Sequence, residues 1–174
     1  MADNLKAALL VGVAKTFVGF TEQGGPNKGQ FVEWCQRAVD GVAAQEPWCL
    51  GFVQRCRLIV DGLGREIGHP EDSALPLTEW TVGLWQRAPE NFRLERPEPG
   101  CLVIWEHWQN GAPSGKGHVG IVVAVRPNGD VDTVEGNTSA GVGIQREGDG
   151  VYFRTRKRDG EGDMRVLGFL NPWP

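Results

Sequence analysis

A proline, a tryptophan and a cysteine come directly before an amphipathic run, and this order constrains the fold more than any other feature of the chain. Pro47 suits the first turn of a helix but not its interior. Apolar residues then recur at three- and four-residue steps to about residue 61, which predicts a helix beginning at Cys49. Free N–H groups and the positive dipole end of a helix lower a thiol pKa from about 8.5 toward neutrality. Cys49 is therefore the candidate nucleophile.

A nucleophilic cysteine needs a base, and the chain has three histidines. His118 opens an apolar, β-branched run at residues 118–125, which predicts a largely buried strand that holds the imidazole on a rigid element. His69 lies in a Gly-His-Pro loop sequence, and His107 lies in a polar and aromatic stretch that is typical of a surface. His118 is therefore the candidate base.

A third member of the site could come from the strand that returns after His118. With Asn128-Gly129 as the two-residue turn of a hairpin, side-chain alternation places Asn137 and Glu135 on the face of His118. This simplest register favours Asn137. Glu135 comes level with His118 only if a longer turn or a bulge shifts the pairing by about four residues, which Gly136 permits. Both residues remain candidates to orient the imidazole and stabilise its charged form.

The remaining pattern predicts helices first and a sheet afterwards. Helices are predicted at residues 2–20, at 29–44 with Asn27 as cap, at 49–61, and at 78–87 with Thr78 as cap. Strands are predicted near residues 101–106, 118–126, 130–135, 142–146, 150–158 and 165–170. The predicted class is α+β, with N-terminal helices packed on one side of a C-terminal antiparallel sheet of about five or six strands. Such a layout brings a sulfur at a helix N-terminus to an imidazole at a strand edge, the geometry of papain-like enzymes.

Length and composition favour a single domain over residues 1–174, with residues 1–20 as a helical N-terminal extension. A net charge of −4 and a pI near 5.4 argue against nucleic acid as a partner. No run approaches the roughly 20 apolar residues of a membrane span, so stable membrane insertion is not expected. The first 20 residues lack a basic leader and a small-residue cleavage site, so we do not interpret them as a signal peptide.

Four cysteines fit neither a dense disulfide scaffold nor a zinc site built from paired C-x2-C units. Cys56 falls two helical turns after Cys49, too far for a disulfide but suited to core packing. Cys35 and Cys101 are expected to act as small hydrophobic residues. No bound metal and no cofactor are expected.

Several short segments together resemble one known family. They are Pro47-Trp48-Cys49 with Phe52-Val53, Pro99-Gly100 before an apolar strand, Gly117-His118-Val119-Gly120, and Glu135-Gly136-Asn137. The chain resembles the CHAP domains, cysteine- and histidine-dependent amidohydrolases and peptidases that cut bacterial peptidoglycan, from about residue 22 to its end. The resemblance implies that Cys49 is the nucleophile, His118 the base, Glu135 the orienting group and Asn137 a further polar member. Cys101 stands where the family commonly has an aspartate.

The resemblance also implies the substrate and the reaction. A protein like this one would cleave a peptidoglycan amide through a thioester, either the N-acetylmuramoyl–L-alanine bond or a bond of the stem peptide or cross-bridge. We expect a monomer, like a phage endolysin or a secreted effector, made in the cytoplasm and carried by a holin or a secretion apparatus to the cell wall or periplasm. Two other classes stay open: a catalytically silent wall-binding module and an acyltransferase of the transglutaminase type.

Substrate contacts are expected from tryptophan and arginine side chains. Trp48 is a candidate for the wall of the groove, and Trp105 or Trp108 is a candidate for stacking on sugar. Arg154, Arg156 and Arg158 alternate onto one face of a predicted strand, which predicts either a solvated outer face or contacts with carboxylates of the wall.

Overall fold

The computed structural model describes residues 5–140 and 148–174. Over these ranges the chain forms four α-helices, a short 3-10 helix (Glu90–Phe92) and a six-stranded antiparallel sheet. The helices are α1 (Leu5–Thr16), α2 (Gln30–Asp40), α3 (Cys49–Glu66) and α4 (Thr81–Arg87). The strands are β1 (Arg93–Leu94), β2 (Leu102–Gln109), β3 (Ala112–Val125), β4 (Val131–Thr138), β5 (Gly150–Arg156) and β6 (Met164–Leu170). The predicted α+β class, with helices before an antiparallel sheet, is confirmed.

The sheet has the order β1-β6-β2-β3-β4-β5, so β2 to β5 form a meander and β6 returns to the other side of β2. Alternate residues of β2 belong to two hydrophobic clusters. Leu102 and Ile104 lie in the larger cluster, which the sheet forms with the helices, and Val103 and Trp105 lie in a smaller cluster on the other face. Such alternation is expected for a strand buried on both faces. His118 of β3 pairs with Trp105, so its imidazole lies on the face of the smaller cluster.

The hairpin between β3 and β4 differs from the predicted two-residue turn. Val125 pairs with Val131, and residues 126–130 form the loop between them. A register shift between Val122 and Ala124 then brings Ile121 opposite Val134, whereas a two-residue turn would have placed Gly136 there. The longer loop and the bulge together move the pairing by two residues, which changes the neighbours of His118.

The structure contradicts both predicted helix caps. The caps of α2 and α4 are Gly29 and Trp80, and neither makes a side-chain cap bond. Asn27 has a left-handed backbone, and its carbonyl accepts a bond from Gln36 at 3.4 Å. Strand β1 was not predicted, because two residues give no periodic signal. The strand predicted at residues 142–146 lies outside the described residues.

Helix α1 contributes to the main hydrophobic core. Leu10 and Ala14 are fully buried there, and the helix packs against α3 and β3. None of the helices that the structure describes combines the length and apolar character needed to cross a bilayer.

Gly51 allows helices α2 and α3 to pack closely beside the start of α3. A Cβ atom at this position would lie 2.9 Å from the carbonyl oxygen of Cys35. We expect Gly51→Ala to lower the free energy of unfolding by about 1–3 kcal/mol, because the backbones must separate to admit the methyl group. Urea unfolding followed by circular dichroism measures the change.

Gly62→Ala provides the matched control in the same helix. A Cβ there would meet only the end of the Arg65 side chain, at 3.9 Å. Alanine should therefore raise stability by up to about 1 kcal/mol through its helix propensity. Equal effects of the two substitutions would contradict the close packing of α2 on α3.

Candidate active site

Cys49 is the first residue of α3, as predicted. Its side chain is 6% exposed and lines a cleft. The backbone of Leu50 interacts with the sulfur, as expected where the first N–H groups of a helix have no intrahelical partner. An 18-residue helix also directs the positive end of its dipole at this thiol. The start of α3 therefore favours the thiolate form.

His118 faces this sulfur from strand β3. Its ring interacts with Cys49 on one side, and its Nε2 lies 2.8 Å from Oε2 of Glu135 on the other. Because Nε2 is engaged by the carboxylate, Nδ1 is the nitrogen left for the sulfur. The ring also stacks on Trp105, with centroids 5.7 Å apart and planes at 22°. Three neighbours thus fix the position and orientation of the imidazole.

Glu135, not Asn137, is the residue that contacts the imidazole. Its carboxylate has no exposed surface, and Thr133 donates a hydrogen bond to Oε1 at 2.6 Å. The side chain reaches His118 diagonally across Gly120, where an added Cβ would lie 2.9 Å from Cγ of Glu135. The longer loop, the bulge and the absence of a side chain at Gly120 make this contact possible.

Asn137 instead binds the backbone of Trp48 and of Gly148. It has a left-handed backbone, with φ at 53°. Its side-chain oxygen accepts a bond from the backbone N–H of Trp48 at 3.3 Å, and its nitrogen donates to the carbonyl of Gly148 at 3.0 Å. Asn137 therefore ties the residue before Cys49 to strand β4.

Arg156 is buried, which contradicts the prediction that the three arginines of the predicted strand share a solvated face. Its side chain is 4% exposed, and it donates from Nε and Nη2 to the two oxygens of Glu135, at 2.9 and 2.5 Å. Its guanidinium also lies 5.7 Å from the ring centre of Trp105. Arg158 is exposed, whereas Arg154 is half-buried and donates to the carbonyl of Ser139. The three arginines therefore occupy different environments.

The charges and hydrogen bonds around the Cys49 sulfur and the His118 imidazole favour a thiolate–imidazolium ion pair. Burial opposes ionisation of Glu135, but bonds and charges from Arg156 and His118 hold the pKa of that carboxyl far below its usual range. Burial lowers the pKa of His118, yet its bonds to Cys49 and Glu135 outweigh this and raise it to about 9. Burial raises the pKa of the Cys49 thiol, and the hydrogen bond and charge of His118 reverse this and bring it below the ordinary value.

The other cysteines behave as hydrophobic core residues. All four cysteines are free and buried. Burial raises the pKa of Cys35 and of Cys101 to about 12 and that of Cys56 well above its ordinary value. Among these four thiols Cys49 alone has a lowered pKa, so the environment distinguishes it.

Thr81 is a further neighbour of the sulfur that sequence reasoning missed. It is the first residue of α4 and is buried, and its hydroxyl lies 4.0 Å from the Cys49 sulfur. The hydroxyl helps to lower the thiol pKa. No sequence pattern links Thr81 to Cys49, because the contact depends on how the loop before α4 folds back onto α3.

The cleft above the sulfur has a volume of about 860 Å³. Trp48 and Trp105 are fully buried, so neither ring has a face to present to a ligand. This contradicts the prediction that these two side chains contact the substrate. Trp48 donates from its indole to Glu22 at 2.9 Å. The tryptophan that does line the cleft is Trp80, which is 49% exposed. Four carboxylates also line it: Glu22, Glu46, Glu79 and Asp149.

His107 and the acidic residues that the structure describes do not assemble a metal centre. His107 lines the cleft but pairs with Asp163 at 3.4 Å. Across residues 5–140 and 148–174, no group of three or more His, Cys, Asp or Glu side chains is placed to hold a metal ion.

Replacing the charge at Glu135 should change the titration of both partners. In Glu135→Gln we expect the pKa of His118 to fall from about 9 by about one to three pH units, because the imidazolium loses its anionic neighbour. The thiol pKa of Cys49 should rise as the imidazolium becomes less stable. NMR titration of the His118 ring and the pH dependence of iodoacetamide alkylation measure the two values.

Asp132→Asn is the control on the same strand, since Asp132 pairs with Arg126 at the surface, at 2.9 Å. It should leave both titrations unchanged. A folded Glu135→Gln protein with wild-type titration midpoints would contradict the role of the carboxylate.

Removing the Thr81 hydroxyl should weaken the thiolate. We expect Thr81→Val to raise the thiol pKa of Cys49 by about 0.4–1 pH unit, because one donor to the anion is lost while side-chain shape is kept. Thr81→Ser retains the hydroxyl and should alkylate like wild type. Identical alkylation profiles for Val and Ser variants would rule out this contribution.

Comparison with known proteins places the chain in a family. A family model described as the CHAP domain matches residues 29–137, more than half of the chain and the part that includes Cys49, His118 and Glu135. No curated protein matches the chain, and no solved structure does. The chain belongs to the CHAP domain family of peptidoglycan amidohydrolases and peptidases.

Proposed function

We propose that the protein is a cysteine hydrolase that cleaves an amide bond of peptidoglycan. The bond is either that between N-acetylmuramic acid and L-alanine or a peptide bond of the stem or cross-bridge. The observation that carries the proposal is the contact between the Cys49 thiol at a helix N-terminus and a His118 ring bound to Glu135. Because Cys49 and His118 line an open cleft, a substrate carbonyl can reach the sulfur.

In the first half of the proposed reaction, the Cys49 thiolate attacks the amide carbonyl and a carbon–sulfur bond forms. The backbone N–H of Cys49 and a neighbouring donor stabilise the oxyanion, and each such donor contributes about 3–4 kcal/mol. His118 gives its proton to the leaving amine as the carbon–nitrogen bond breaks. The product of this half is a thioester on Cys49 and a free amine.

In the second half, His118 takes a proton from water, and the resulting hydroxide adds to the thioester carbonyl. The carbon–sulfur bond breaks, the acid leaves, and the thiolate–imidazolium pair returns. Glu135 stabilises the imidazolium in both halves, and Asn137 positions the backbone before the nucleophile. Because peptidoglycan lies outside the cytoplasmic membrane, the proposed site of action is the cell wall or periplasm.

Digestion of purified peptidoglycan tests the nucleophile and identifies the bond. Cys49→Ala should lower the rate of fragment release by about a thousandfold or more, because the thioester can no longer form. Mass spectrometry then distinguishes free muramic-acid ends, expected from an amidase, from new peptide amines, expected from an endopeptidase. Cys101→Ala, which removes a buried thiol of raised pKa, is the control and should digest like wild type.

Two further measurements separate the other candidate functions. Rapid alkylation of Cys49 by iodoacetamide at neutral pH is expected of a reactive thiol, whereas slow alkylation together with absent digestion would indicate a silent wall-binding module. Peptide–amine conjugates formed in the presence of added amines would indicate an acyltransferase. Equal digestion by wild type and Cys49→Ala would exclude the nucleophile proposal.

A further inference from the structure

Trp80 is the one large aromatic ring among the described residues that lines the cleft. Its side chain is 49% exposed, whereas Trp48 and Trp105 are fully buried. Half-exposure of so large an apolar group at the edge of a polar cleft is typical of a contact surface for a ligand. The exposed part of the ring is therefore available to a ligand in the cleft.

The indole is held in place by contacts on several sides. Its Nε1 donates to the carbonyl of Gly115 at 2.7 Å, and its backbone N–H donates to Thr78 at 3.2 Å. Its carbonyl accepts the bond from Leu84 that begins α4, at 2.9 Å. One side of the ring lies on Gly83, where an added Cβ would be 2.3 Å from Cε3. A ring fixed in this way loses little entropy when a ligand covers its open side.

The indole of Trp80 lines the same cleft as the reacting sulfur. Trp80 directly precedes Thr81, whose hydroxyl lies 4.0 Å from the Cys49 sulfur, and consecutive Cα atoms are about 3.8 Å apart. Because Trp80 and Cys49 line the same cleft, a group stacked on Trp80 lies in the cleft that holds the carbonyl under attack. Of the candidate peptidoglycan amides, the muramoyl amide has its acyl group attached to a sugar, whereas bonds within the stem peptide lie farther from any sugar.

The surroundings of the ring match a sugar as well. A pyranose has apolar C–H faces and hydroxyl groups around its edge. Trp80 offers a flat apolar face, and Glu46 and Glu79 line the same cleft with oxygens that can accept bonds from hydroxyl groups. An aromatic platform flanked by acceptors therefore fits a sugar ring better than an extended peptide, which would need backbone partners.

We propose that Trp80 is a substrate-binding residue that stacks on the muramic acid ring and makes the site prefer a glycan-linked amide to a sugar-free peptide. The proposal rests on the hydrolase function proposed above. It assigns the specificity to one side chain, which binding measurements can test without turnover.

The test uses the Cys49→Ala protein and two probes. One is a disaccharide-peptide of N-acetylglucosamine and N-acetylmuramic acid carrying its stem peptide, and the other is the same peptide without sugar. Calorimetry should show about tenfold tighter binding of the disaccharide-peptide, a preference that Trp80→Ala abolishes. Affinity for the sugar-free peptide should not change.

Trp108→Ala is the matched control, because Trp108 is 36% exposed on β2 and does not line the cleft. It should keep the full preference for the disaccharide-peptide. Equal affinity of the parent protein for both probes would overturn the proposal. So would a loss in Trp80→Ala that is the same for both probes.

Gly83→Ala tests the position of the ring while keeping the indole. The methyl group must displace Trp80 from the start of α4, although alanine is the better helix former. We expect the sugar preference to fall about as far as in Trp80→Ala, and a full preference in a folded Gly83→Ala protein would contradict the fixed platform.

The two proposals fail in different experiments. If wild type releases no fragments from peptidoglycan but the sugar preference depends on Trp80, the hydrolase function is wrong and the sugar platform stands. If digestion requires Cys49 but Trp80→Ala leaves the preference intact, only the platform is wrong.

Discussion

The buried carboxylate of Glu135 is the group on which the candidate site depends. It has no exposed surface, and its two oxygens accept bonds from Thr133, His118 and Arg156. A charge at that depth persists only where partners replace the lost hydration. Because the carboxylate is ionised, His118 can hold a proton, and because the imidazole is charged, Cys49 can lose one. Charge thus alternates from Arg156 to the sulfur, and each member depends on the next.

The parts of the site that the sequence predicted are those with local signals. Cys49 was placed at a helix start from the proline before it and the apolar period after it, and α3 begins at that residue. His118 was placed on a buried strand from a run of β-branched residues, and β3 contains it. Both predictions need only a few neighbouring residues, because helix entry and strand burial are properties of short segments.

The parts that were missed depend on contacts between segments distant in sequence. The loop and the bulge between β3 and β4 shift the pairing by two positions, which brings Glu135 within diagonal reach of His118. The left-handed backbone of Asn137 then turns that residue to Trp48 and Gly148 instead. The alternation of Arg156 with Arg154 and Arg158 predicts a surface position. It does not show that the Glu135 carboxylate of β4 lies beside Arg156. Trp80 reached the cleft through the fold of the loop before α4, which has no periodic pattern.

The hydrogen-bonding capacity of the two side chains explains why a carboxylate lies at position 135 and an amide at position 137. Glu135 meets donors alone, one each from Thr133 and His118 and two from Arg156. A carboxylate has two accepting oxygens for these four bonds, whereas an amide would turn its NH2 group toward donors. Asn137 meets one donor and one acceptor, the N–H of Trp48 and the carbonyl of Gly148, which an amide satisfies on both sides and a carboxylate does not. A buried ion pair adds little net stability over apolar packing, whereas the bond and charge of Glu135 raise the pKa of His118.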